Sequence, residues 1–126
     1  MYKFTQSYLQ NQVNQASPLD LILMLYNKAI GCLRLSKKSI EEGIEKPENL
    51  KKKVENLDKT LDILIYLKSC LNFEQGGEIA KNLNEIYTVL IEELFKIKVN
   101  NDIEVLEKSI ETLETLKKAW EDLKRN

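Results

Sequence analysis

Apolar residues recur every three to four positions through four long stretches of the chain, the spacing of helices that each bury one face. Ser17 is a good helix-start residue, Pro18 suits the first helical position, and Asp20 stands where a capping-box acid belongs. A first helix is therefore expected from Ser17 to about Glu42, ended by Gly43. Its opening carries a surplus, because Leu21 to Tyr26 is six consecutive apolar residues. At about 100° per residue, Leu19, Ile22, Leu23, Tyr26, Ile30 and Leu33 share one sector, and Leu21, Leu25 and Cys32 share another. The apolar arc spans roughly 200°, against ~100° for a one-sided surface helix. One sector is expected to meet a core and the other to need a cover.

A second helix is expected from near Pro47 to near Leu71, with Leu50, Val54, Leu57, Leu61 and Leu64 forming a bundle seam. Ile63, Ile65, Tyr66, Leu67 and Cys70 overload its later half. Asn72 to Gly77 is expected to be a loop, because Gly76-Gly77 discourages an unbroken helix. The third helix follows to about Lys98, with Ile79, Leu83, Ile86, Leu90, Leu94 and Ile97 as its seam and Ala80, Tyr87, Ile91 and Phe95 widening it. Asn101 is expected to cap the fourth helix, with Glu104 three residues on, and the helix to run to about Lys124. There Ile103, Leu106, Ile110, Leu113, Leu116, Trp120 and Leu123 make one inward face. Similar lengths and short connections point to an all-α, antiparallel up-down four-helix bundle over residues 16–126. Residues 1–15 are amide-rich with isolated Tyr2, Phe4, Tyr8, Leu9 and Val13, and are expected to be a flexible N-terminal arm able to dock.

Composition narrows the function classes. The 126 residues suit one domain, and a net charge of −1 from 19 basic and 20 acidic residues argues against a nucleic-acid binder. No apolar run approaches the roughly 18 residues of a membrane span, and the first residues lack a signal peptide's apolar stretch, so the expected compartment is the cytosol. The absence of histidine removes the commonest general base and zinc ligand, and no metal or cofactor is expected. Cys32 and Cys70 lack a Cys-x-x-Cys spacing and are expected to be largely buried, reduced thiols. Asp58 with Asp62, and Glu74 with Glu78, are expected to face solvent, and Gly76-Gly77 lacks a phosphate-loop context, so no catalysis is expected. Lys51-Lys52-Lys53 is expected to be a solvated helix face, with a docking patch for an acidic partner as the alternative. Tyr26, Tyr66 and Tyr87 either pack at the core edge with hydroxyls reaching water or line a groove for another chain.

The apolar surplus has three candidate covers: a second copy in a homodimer, the N-terminal arm, or an apolar segment of a partner held in a groove. Fully burying six such side chains would gain roughly 9 to 18 kcal/mol before ordering costs.

Tyr8-x-x-Asn11-x-Val13-Asn14-x-Ala16-Ser17-Pro18-x-Asp20-Leu21-x-Leu23-Met24-Leu25-Tyr26-Asn27 resembles the opening of the flagellar secretion chaperones that escort flagellin, the FliS family. Gly76-Gly77-Glu78-Ile79-Ala80-x-Asn82-Leu83-x-x-Ile86-Tyr87 resembles their third-helix signature, and Asn101-Asp102 and Trp120 also fit. The resemblance implies a cytosolic, non-enzymatic four-helix chaperone that binds the C-terminal segment of flagellin. Such binding prevents premature polymerisation and keeps flagellin competent for type III export, with delivery to the cytoplasmic part of the export gate. It also implies that the N-terminal arm covers part of the cargo surface when cargo is absent. The chain departs from the family pattern after Tyr87, where Thr88-Val89 stands in place of a second aromatic and a pair of arginines is missing. Lys98-Val99 replaces the usual Ala-Asn before the last loop. On this reading the flagellin contacts are expected at Leu21, Met24 and Leu25, at Ile63, Tyr66 and Leu67, and at Tyr87 and Ile91, with Tyr8 and Leu9 as the arm's competing plug. The rival reading is a structural homodimer that uses the apolar excess as its subunit interface.

Overall fold

A computed structural model of the chain describes residues 18–125. Over that range it forms four helices: α1 (Pro18–Glu42), α2 (Pro47–Ser69), α3 (Phe73–Ile97) and α4 (Ile103–Arg125). Residues 1–17, which include the expected arm, and residue 126 lie outside the described residues. Ion pairs show the direction of the packing. Asp20 at the start of α1 pairs with Lys124 at the end of α4, and Lys37 with Glu107 and Arg34 with Glu114 are successive rungs between them at 3.3 Å and 2.7 Å. Lys98, just past α3, reaches back to Asp58 on α2 at 2.7 Å. Each helix therefore runs antiparallel to the next, and α4 closes the bundle against α1.

α1 packs most intimately on α2, where small residues let the helices approach. Ser36 donates its hydroxyl to the Lys53 carbonyl at 3.1 Å, and Ala29 lies against Thr60, both without exposure. The core contains Leu25, Tyr26, Ile30 and Leu33 of α1, Leu57, Leu61, Ile63 and Leu64 of α2, Leu90, Leu94 and Ile97 of α3, and Leu106 and Leu113 of α4. The wide apolar arc of α1 has a physical reason: the helix has two neighbours, α2 and α4. Both of its expected sectors are buried from Leu25 onward, Leu25 and Cys32 as fully as Tyr26 and Leu33. The division between core and uncovered surface runs along the helix, not around it, because the stretch before Leu25 is only half-buried.

Several local expectations are corrected. Asn72 to Gly77 is not a loop: Phe73 to Gly76 is already a helical turn, capped by the Asn72 side chain, which accepts from the Gln75 amide at 3.0 Å. Gly77, at φ 50° and ψ −126°, kinks α3 after that turn, a backbone state that only glycine adopts cheaply. The fourth helix is capped by Asp102, whose carboxylate accepts from the Val105 amide at 3.2 Å, and not by Asn101. Asn101 has another partner, Lys53. That lysine was expected on a solvated face, but only Lys51 and Lys52 are exposed, and Lys53 is 1% exposed. In α3 the seam passes through Ala80, Leu83, Tyr87, Leu90, Leu94 and Ile97, while Ile79 is 70% exposed. Cys32 is buried as expected, and Cys70 is exposed.

Candidate functional site

An up-down bundle brings the start of α1, the end of α2, the start of α3 and the end of α4 to one end. Here those segments do not close over each other and leave a cleft of about 450 Å³, within the ~300–1,000 Å³ typical of ligand clefts. α1 contributes Leu21, Ile22 and Leu25, and α2 contributes Tyr66, Leu67 and Cys70. α3 contributes Ile79, Ala80, Leu83 and Tyr87, and Trp120 of α4 completes the wall. The turn before Gly77 supplies the polar rim, Asn72 and Gln75. Among the described residues, none that lines the cleft is charged.

The floor is built on two tyrosines. Tyr26 and Tyr87 are buried, and their hydroxyls share a hydrogen bond of 2.6 Å. Neither hydroxyl reaches water, in contrast to the core-edge expectation, while Tyr87 also meets the cleft. Burial pushes the Tyr26 phenol up, and the hydrogen bonds from Tyr87 and Trp120 oppose that rise. Burial pushes Tyr87 up as well, reinforced by the charge Tyr26 would carry if ionised. Tyr66 is pushed up to about 12 by its hydrogen bond with Cys70 and by burial. All three phenols are therefore neutral near pH 7. The cleft offers aromatic and aliphatic surface with a few neutral hydrogen-bonding groups, which suits apolar side chains of another segment and supplies no acid–base pair.

The expected contact residues divide by position. Leu21, Leu25, Tyr66, Leu67 and Tyr87 come together in the cleft. Met24 and Ile91 are half-buried and lie outside its lining. Ile63 is 0% exposed and belongs to the core, so it offers no surface to a partner. Tyr8 and Leu9 lie outside the described residues. Ile22, Ile79, Leu83 and Trp120 line the cleft although their periodicity reads as core. Their signal was positional: each lies within a few turns of the helix ends that meet at this end of the bundle.

The flagellar protein FliS family model matches residues 1–126. The chain belongs to the FliS family. It is 36% identical over 115 residues to the flagellar secretion chaperone FliS of Vibrio cholerae serotype O1, covering 91% of this chain and 81% of that protein. With the FliS chaperone of Salmonella typhimurium it shares 32% identity over 122 residues, covering 95% and 86%. The FliS chaperone of Bacillus subtilis is 30% identical over 114 residues, covering 90% and 80%. The uncharged cleft is thus a feature of a flagellar secretion chaperone family member. No helix among the described residues is long and apolar enough to cross a membrane.

Proposed function

We propose that this FliS-family chain is a cytosolic export chaperone that holds the C-terminal segment of flagellin in the apolar cleft. Sequestration blocks polymerisation before export and keeps flagellin competent for the type III pathway, from which the chaperone hands it to the cytoplasmic part of the export gate. The observation that carries this reading is the charge-free cleft at one end of the bundle, on a chain of a flagellar secretion chaperone family. Leu21, Leu25, Tyr66, Leu67 and Tyr87 receive apolar side chains of the segment, and Met24 and Ile91 extend the contact along α1 and α3. Burying four aliphatic side chains there is worth roughly 6 to 12 kcal/mol before ordering costs. That suffices to order a segment disordered when free. Residues 1–15 compete for the same surface through Tyr8 and Leu9, and 16–126 act as the holding domain.

The test is co-purification with flagellin. Capture is expected to be lost when flagellin's C-terminal segment is deleted. It is also expected to fall about tenfold or more in Ile79→Asp, which puts a charge on the cleft wall. Ile79 is 70% exposed, so the substitution should leave stability within ~0.5 kcal/mol. Equal capture of the truncated flagellin would overturn the reading, as would a tight dimer of the free chain that never exchanges for a flagellin C-terminal peptide.

A further inference from the structure

Three aromatic residues of the cleft, Tyr66, Tyr87 and Trp120, carry a polar tip as well as an apolar ring. Left free, those tips would make the wall polar in three places. Each is matched inside the bundle instead. Tyr66 hydrogen-bonds Cys70, one turn further along the chain. The Tyr87 hydroxyl shares its 2.6 Å bond with the Tyr26 hydroxyl. The Trp120 indole bonds the same Tyr26 oxygen, and because an indole N–H only donates, that oxygen accepts. One hydroxyl on α1 thus serves a wall residue from α3 and another from α4. Tyr26 is 0% exposed and stands behind the lining rather than in it. The side-chain amides of Asn72 and Gln75 lie at the rim, away from this floor.

We propose that Tyr26 is a positioning residue that sets the specificity of the cleft, holding the Tyr87 hydroxyl and the Trp120 indole so that an occupant meets only their apolar faces. A side chain with a hydrogen-bonding tip that reaches the floor then loses water and finds no partner there, whereas an aliphatic one loses nothing. Without the Tyr26 oxygen the balance reverses. The Tyr87 hydroxyl would be left buried and unmatched, a costly state that a polar group of the occupant relieves. Tyr26 thus acts on what the cleft accepts without touching it. The inference rests on the chaperone reading for the identity of the natural occupant, flagellin's C-terminal segment.

Titration calorimetry with a flagellin C-terminal peptide, and with the same peptide carrying asparagine in place of each leucine in turn, tests the selection. In the starting protein the most damaging replacement is expected to weaken binding about a hundredfold. In Tyr26→Phe that penalty is expected to shrink about tenfold. Tyr26→Phe/Tyr87→Phe removes the freed hydroxyl as well and is expected to restore the penalty to within about threefold. Each substitution removes a single oxygen, and thermal melts confirm folding. A mere loss of packing would weaken both peptides alike and leave their ratio unchanged. Toluene and p-cresol pose the same choice without flagellin, read by their effect on the emission of Trp120, the only tryptophan. The preference for toluene is expected to fall about tenfold in Tyr26→Phe and to return in the double variant. An unchanged ratio in Tyr26→Phe, or no restoration by the double variant, would overturn the inference. The expected toluene and cresol ratios in a chain that binds no flagellin peptide would keep the inference and reject the chaperone reading.

Discussion

Replacing Lys53 by methionine removes a buried ammonium while keeping the length of the side chain. Its Nζ donates to the Lys98 carbonyl at 3.3 Å, the Asn100 carbonyl at 3.1 Å and the Asn101 side-chain oxygen at 2.7 Å. These bonds tie the start of α2 to the link between α3 and α4, some 45 residues away. Hydrogen bonds from a charged donor are each worth ~1.5–3 kcal/mol. Two terms reduce the sum. Burial already lowers the Lys53 pKa, so the ammonium carries a desolvation cost that methionine avoids. Asn100 and Asn101 are exposed, so their freed oxygens can turn to water. The expected net loss is ~2 kcal/mol, or a fall in Tm of about 8 °C for a chain of this size. Urea unfolding followed by far-ultraviolet circular dichroism measures it, with Lys52→Met as the control. Lys52 is exposed and should change stability by no more than ~0.5 kcal/mol. Equal effects of the two substitutions would refute the tether.

The Tyr26–Tyr87 pair gives the bundle an alkaline limit. Both phenols are held above their ordinary value of 10.0, so above that pH the unfolded state releases protons first, and stability falls by up to ~1.4 kcal/mol per tyrosine for each pH unit. Alkaline unfolding followed by phenolate absorbance should show this slope, and the double Tyr26→Phe/Tyr87→Phe variant should lose the share of those two phenols while Tyr66 keeps its own; an unchanged slope would count against the pair. Gly77→Ala is expected to cost ~1–3 kcal/mol, because φ 50° with ψ −126° strains any residue with a Cβ. Wild-type stability in urea would show that the kink can relax.

The four helices were legible because their causes are local. A 3.6-residue apolar period, Pro18 and Pro47 at helix starts, and Gly43 past the end of α1 act within a few residues of where they stand. The family resemblance was legible for a similar reason, since its motifs are contiguous. Ile63 and Ile79 show where local reasoning stops. Both belong to the apolar faces of their helices, yet Ile63 is sealed in the core and Ile79 is 70% exposed on the cleft wall. Periodicity says that a residue is on an apolar face, but not whether that face still has a neighbour at that height in the bundle. The six apolar residues of α1 likewise specified an excess, and only the presence of both α2 and α4 beside the helix divided it into core beyond Leu25 and cleft before it. Polar groups follow the same rule. Helical phase sets Lys53 four residues before Leu57 on the buried face, apart from Lys51 and Lys52, but nothing nearby in the chain shows what would receive its charge, and the same holds for Asp62. Their burial depends on acceptors and walls supplied by distant segments, because the energy of a buried charge is set by what surrounds it in space.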